Sequence, residues 1–103
     1  MLTEQLRQEI NKDITENKIV IYMKGTVNAP MCGFSGRAVQ ILQSYNVPIK
    51  GHDILSNEDL RQGIKEFTNW PTIPQIFING EFVGGADIIT EMHENGELAQ
   101  LLK

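Results

Sequence analysis

The sequence predicts an α/β fold, a four-stranded mixed sheet with helices on both faces, and three observations lead there. Helical and strand patterns alternate through the first half. An early apolar run without polar alternation, Ile19 to Met23, marks a strand covered on both sides. Near residue 80, Asn79-Gly80 separates two short β-prone runs, the signature of a two-residue hairpin.

In chain order, Leu2, Leu6, Ile10 and Ile14 recur at helical spacing, with Thr3, Asn11 and Asn17 as boundary residues, so an amphipathic helix opens the chain. Lys18 to Met23 is the first strand, and a polar loop from Gly25 to Met31 follows it. Phe34, Ala38, Ile41, Leu42 and Tyr45 mark one face of a second helix, which ends near Asn46 because Pro48 disfavours helix before it. Ile49 to Ile54 is a weaker strand pattern. Ser56 with Asp59 resembles a capping arrangement for a third helix whose face carries Leu60, Ile64 and Phe67. Gln75 to Ile78 and Glu81 to Val83 form the hairpin. From Asp87, Ile88, Ile89, Met92, Leu98, Leu101 and Leu102 supply a last helix, broken at Asn95-Gly96.

A chain of 103 residues, 41% of them hydrophobic, fills one core and is too short for two ordinary domains, so residues 1–103 read as one domain. The net charge of −4 provides no basic field for a phosphate backbone, which argues against nucleic acid. No apolar run approaches the roughly 20 residues that span a bilayer. Met1 to Lys18 is polar where a secretory signal would be apolar. The expected location is cytoplasmic, or a matrix compartment if a transit peptide has been removed. The four methionines are scattered and read as core filling, and His52 and His93 as surface or structural histidines.

Cys32 is the only cysteine, so no disulfide forms within the chain, and any covalent chemistry it does involves another molecule. A lone cysteine is as often a small buried hydrophobe as a reactive group. This one follows a strand and a loop and falls at the start of a helix, where unpaired N–H groups and the helix dipole favour thiolate. Pro30 and Gly33 around it suit a tight, exposed loop. A second cysteine three residues on would make a dithiol redox site, but that place is Ser35.

Cys32-Gly33-Phe34-Ser35, preceded by Lys24-Gly25-Thr26 and Pro30, resembles the monothiol glutaredoxins of the Cys-Gly-Phe-Ser type. Two further stretches, Asn69-Trp70-Pro71-Thr72-Ile73-Pro74-Gln75 and Asn79 to Asp87, are similar to that family's other signatures, in the expected order and over nearly the whole chain. The resemblance implies a thioredoxin-like glutaredoxin fold and a glutathione site. Lys24 and Arg61 are then candidates for the glycyl carboxylate. Thr72 and Ile73, ahead of a cis Pro74, would meet the peptide-like middle, and Ala86 and Asp87 the γ-glutamyl end. Asp87 could also cap the last helix. Trp70 is read as a core aromatic without a ligand contact. Some family members carry a second cysteine where Ala86 stands, so two-cysteine regulation is not expected.

A 2Fe-2S cluster needs four thiolate-like ligands and this chain has one. The resemblance implies that two copies of Cys32 and two glutathione molecules complete the set in a homodimer, with Cys32 as both metal ligand and reactive thiol. It also implies a cluster carrier that hands its cargo to apo iron–sulfur proteins, and a BolA-like protein as a mixed partner. The alternative is a glutathione-dependent monothiol oxidoreductase acting on glutathionylated proteins. The family's longer loop, Thr26 to Pro30 here, is associated with weak activity of that kind, so an enzymatic role is the less favoured reading.

Overall fold

The structure is a computed structural model and describes residues 2–103; Met1, one of the four methionines, lies outside the described residues. Helix α1 (Glu4–Glu16) leads into β1 (Ile19–Met23), α2 (Gly33–Gln43), β2 (Ile49–Asp53) and α3 (Glu58–Thr68). The hairpin β3 (Gln75–Ile78) and β4 (Glu81–Gly84) follows, then α4 (Ala86–Glu94) and α5 (Glu97–Leu101). The sheet order is β2-β1-β3-β4. β1 runs parallel to β2 and antiparallel to β3, and β3 pairs antiparallel with β4. The mixed sheet expected from the sequence is therefore present, with the thioredoxin-like arrangement.

All five residues of β1 are buried because the strand lies between neighbours in the sheet and is covered on both faces. Its alternating side chains feed two cores. Ile19, Ile21 and Met23 pack with Ala38, Val39 and Leu42 of α2, Ala86 and Ile89 of α4, and Leu98. Val20 and Tyr22 pack with Ile10 and Ile14 of α1, Ile64 of α3, and Phe77. Asn79 and Gly80 sit at φ 54° and 83°, the positive values that a tight hairpin turn requires. Thr3 caps α1 as the sequence suggests, its hydroxyl accepting from the Leu6 N–H at 3.1 Å.

Four local expectations are corrected. α3 is capped by Asn57, whose side-chain oxygen accepts from the Leu60 N–H at 3.0 Å, rather than by Ser56 with Asp59. The Ser56 hydroxyl instead donates to the Asp53 carbonyl. Phe34 was assigned to the buried face of α2 but is 63% exposed, because it sits in the first turn, beyond the reach of the core. Ile88 and Leu101, expected on the buried face of the last helix, are each more than a third exposed, whereas the expected break at Asn95-Gly96 is present and separates α4 from α5. Met31, read as core filling, is 70% exposed beside Cys32.

Both histidines are structural and stand away from the thiol. His93 Nδ1 meets the Tyr45 hydroxyl between α4 and the end of α2. His52 Nε2 lies 3.0 Å from Asp13 Oδ2 of α1, with its ring stacked on Tyr22 at 4.9 Å between centroids. The buried Tyr22 hydroxyl has no hydrogen-bond partner among the described residues, and burial first, with Asp13 second, pushes its phenol pKa well up. Burial lowers the His52 pKa and outweighs the opposing pull of Asp13. The folded chain thus takes up the His52 proton less readily than the unfolded chain, so stability should fall as pH drops below the ordinary value of 6.5. Chemical denaturation across that range should show this slope in the parent and a flatter one in His52→Phe. An equal slope in both would assign it to another group.

Candidate functional site

The site gathers where β1 ends, α2 and α4 begin and the β3 hairpin is entered. An open cleft of about 470 Å³ there is lined by Lys24, Cys32, Phe34, Arg61, Lys65, the loop from Trp70 to Pro74, and the segment from Gly85 to Ile88. All seven residues singled out from the sequence, namely Cys32, Lys24, Arg61, Thr72, Ile73, Ala86 and Asp87, line this one cleft. They come from three helices, a strand end and a loop.

Cys32 occupies the N-cap of α2, in extended backbone (φ −150°, ψ 140°), and is partly exposed. Its side chain makes no capping hydrogen bond. The thiolate is favoured there, so the Cys32 pKa lies below that of an ordinary thiol. The leading causes are the backbone N–H groups of Ser35 and then Phe34; burial opposes them, and Lys24 and then the Ser35 hydroxyl add smaller contributions in the lowering direction. The first-turn amides thus stabilise a charged sulfur at the place where a capping oxygen stands in other helices.

Ser35, at the place a second cysteine would take, is fully buried. Its hydroxyl accepts from the Lys24 N–H at 3.2 Å and ties the end of β1 to the first turn of α2. The Lys24 carbonyl in turn accepts from the Met31 N–H at 2.8 Å. Between these ties the chain makes a small bridged insert. Gly25 pairs with Pro30, and Thr26 and Ala29 exchange backbone hydrogen bonds of 3.2 and 3.1 Å. Gly25 has φ +87°, and a Cβ there would come within 2.5 Å of the Ala29 carbonyl oxygen, so only glycine closes this loop without strain.

The opposite wall is the loop before β3. The Ile73–Pro74 peptide bond is cis, as the resemblance implies. Gln75, fully buried, holds this loop from beneath: its Nε2 donates to the carbonyls of Trp70 and Thr72 at 3.0 and 3.2 Å, and its Oε1 accepts from the Thr68 hydroxyl at 2.9 Å. Trp70 is consequently not the core aromatic expected from the sequence. It is 41% exposed, lines the cleft and meets Phe82 edge-on at 6.0 Å. Asn69 ends α3 in the left-handed conformation and turns Trp70 outward.

Three cations, Lys24, Arg61 and Lys65, face one carboxylate, Asp87, in a chain that is acidic overall. Arg61 Nε is closed off from solvent and has no hydrogen-bond partner among the described residues. Lys65 was not anticipated, although its position four residues after Arg61 puts both on one face of α3. Across the cleft, α4 begins with Gly85 at its N-cap and Ala86 and Asp87 in its first turn, so Asp87 does not cap the helix. Gly85 has no side chain to accept from the first-turn amides, which leaves that helix end suited to an anion. The arrangement offers one activated sulfur between two anion-binding ends.

Ser35→Ala should weaken both the tie to Lys24 and the support of the thiolate. We expect the Cys32 titration, followed by thiolate ultraviolet absorbance, to move upward, and alkylation at neutral pH to slow. An unmoved titration would leave the backbone amides and Lys24 as the causes of the low pKa.

A family model described as Glutaredoxin matches residues 19–83. Monothiol glutaredoxin-5, mitochondrial, of Schizosaccharomyces pombe is 54% identical over 106 residues, covering 100% of this chain and 73% of its own length. Monothiol glutaredoxin-S15, mitochondrial, of Arabidopsis thaliana is 52% identical over 101 residues, covering 98% of this chain and only 60% of its own length. The solution structure of reduced poplar apo GrxS14 superposes with a TM-score of 0.83 at 50% identity, covering 92% of this chain and 87% of that one. With the Cys32-Gly33-Phe34-Ser35 signature at the start of α2, these similarities establish that the chain belongs to the glutaredoxin family, as a monothiol glutaredoxin of the Cys-Gly-Phe-Ser type.

Proposed function

We propose that the chain binds glutathione in the cleft and, with it, carries a 2Fe-2S cluster between two copies of itself for delivery to apo iron–sulfur proteins. The observation that carries this reading is a single activated thiolate set in a cleft with cations at one end and a free helix start at the other. Glutathione has a carboxylate at each end and an ammonium beside one of them. Lys24 and Arg61, with Lys65 beside them, suit the glycyl carboxylate. Ile73 and Thr72 suit the peptide-like middle. The first turn of α4 at Ala86 suits the γ-glutamyl carboxylate, and the Asp87 carboxylate suits the ammonium.

Among the described residues, no three His, Cys, Asp or Glu side chains come together as a metal site. A cluster on this chain would therefore rest on the Cys32 sulfur, and its other ligands would come from a second copy and two glutathione sulfurs. We include a BolA-like protein as an alternative partner in place of that second copy. The mitochondrial names of the two relatives support a mitochondrial site of action beside the cytoplasmic one expected from the sequence. No helix among the described residues is long and apolar enough to cross a membrane.

The lowered Cys32 pKa also favours a second reading, reduction of glutathionylated proteins. The thiolate would attack the glutathione sulfur of the mixed disulfide and release the protein thiolate. A second glutathione would then attack the glutathionylated Cys32, regenerating the thiolate and leaving oxidised glutathione. Anaerobic reconstitution with iron, sulfide and glutathione separates the two readings. The carrier predicts a coloured dimer that forms only with glutathione and is absent in Cys32→Ser. A colourless monomer that turns over a glutathionylated peptide rapidly would replace it with the enzyme.

The glutathione site can be tested without iron. Trp70, the only tryptophan, lines the cleft, so its emission should change on titration with glutathione. Lys24→Ala and Arg61→Ala should each weaken binding about tenfold, the order expected for one hydrogen bond to a charged group, with little change in melting temperature. A large stability loss with unchanged affinity would reassign either residue to the fold.

A further inference from the structure

The insert from Gly25 to Pro30 is held by a residue that none of the family signatures contains. Asp53, the last residue of β2, does not line the cleft. Its Oδ1 accepts two backbone hydrogen bonds. One, from Leu55 N–H at 2.9 Å, is local and closes the turn after β2. The other, from Gly25 N–H at 3.0 Å, crosses 28 residues of sequence and ends beside the thiol site. A turn-closing aspartate needs only the first.

The second bond completes a set around Lys24. Its own N–H is held by Ser35 of α2 at 3.2 Å and its carbonyl by Met31 N–H at 2.8 Å, while the next N–H along the chain is held by Asp53. Three consecutive polar groups of the backbone are thus fixed by α2, by Met31 just after the insert and by the end of β2. Without the Asp53 bond, the Gly25 N–H would have to find another acceptor at the one residue whose φ of +87° starts the insert. We propose that Asp53 is a positioning residue for the thiol site: by holding Gly25 it fixes the insert and, through it, the Lys24 ammonium with respect to Cys32. This rests on the glutathione-site reading above only where it concerns affinity.

Electrostatics makes the inference testable, because the two uses of Asp53 predict opposite signs. A carboxylate acting merely as a nearby charge would disfavour the thiolate, so deleting it would lower the pH at which Cys32 ionises. A carboxylate that positions Lys24 would, on deletion, let the ammonium wander and raise that pH. The experiment is a thiolate titration of the iron-free protein, with glutathione affinity by calorimetry and stability by chemical denaturation. Asp53→Ala should shift the Cys32 titration upward and weaken glutathione about tenfold. Asp53→Asn, whose carboxamide oxygen can accept from the same two amides, should keep the affinity within about twofold of the parent and show no upward shift. A titration that stays put or moves down in Asp53→Ala, or an Asn variant that behaves as the Ala variant does, overturns the proposal.

If Asp53→Ala does not fold, Gly25→Ala disturbs the insert from its other end with Asp53 intact. It should raise the Cys32 titration, and an unmoved titration there overturns the proposal too. A reconstituted protein that stays colourless would sink the carrier reading and leave this titration unaffected.

Discussion

The interaction between the Cys32 sulfur and the first turn of α2 is the constraint on which the rest of the site depends. A helix start leaves N–H groups without partners, and here Ser35 and Phe34 present theirs to a sulfur rather than to a capping oxygen. That requires Cys32 to stand at the N-cap in extended backbone, and therefore requires the chain to arrive from β1 along a fixed path. The path is set by Ser35, whose buried hydroxyl takes the Lys24 N–H. The residue that stands in for a second thiol is thus a structural bond in its own right. A cysteine in its place would be shut inside the protein and would accept a hydrogen bond less well.

The same economy shapes the opposite wall. Gln75 is buried and spends its whole amide on Thr68, Trp70 and Thr72, so the loop that lines the cleft is shaped from below and its upper surface is free for a ligand. A thiolate that is not committed to a partner cysteine therefore stands in a cleft with cations at one end and an open helix start at the other.

Most of the fold was legible because its signals are local. β1 is apolar on both faces, Asn79-Gly80 names its own turn, and Thr3 names its own helix start. The order of elements and the gathering of Lys24, Cys32, Arg61, Thr72, Ile73, Ala86 and Asp87 followed from these and from the three signatures. What was missed is tertiary. Trp70 reads as core by composition, yet the left-handed Asn69 and the grip of Gln75 on the next carbonyls turn it to the cleft. Phe34 keeps helical spacing with Ala38 and Leu42 but lies in a first turn that overhangs the core. Asn57 outcompetes Ser56 because Ser56 is already bound to the Asp53 carbonyl. Lys65 carried a signal in its spacing from Arg61. Asp53 carried none, since its bond to Gly25 joins residues distant in sequence.

The two cores on either side of the sheet meet at the cleft. Cys32 and Ala86 belong to helices packed on one face, Arg61 and Lys65 to the helix packed on the other. A molecule grasped by both would act as a strut between layers that the four-stranded sheet separates. Occupancy would then bind the loosening of one layer to that of its neighbour, so the loaded protein should open as a single body even under conditions where the empty one frays from one side.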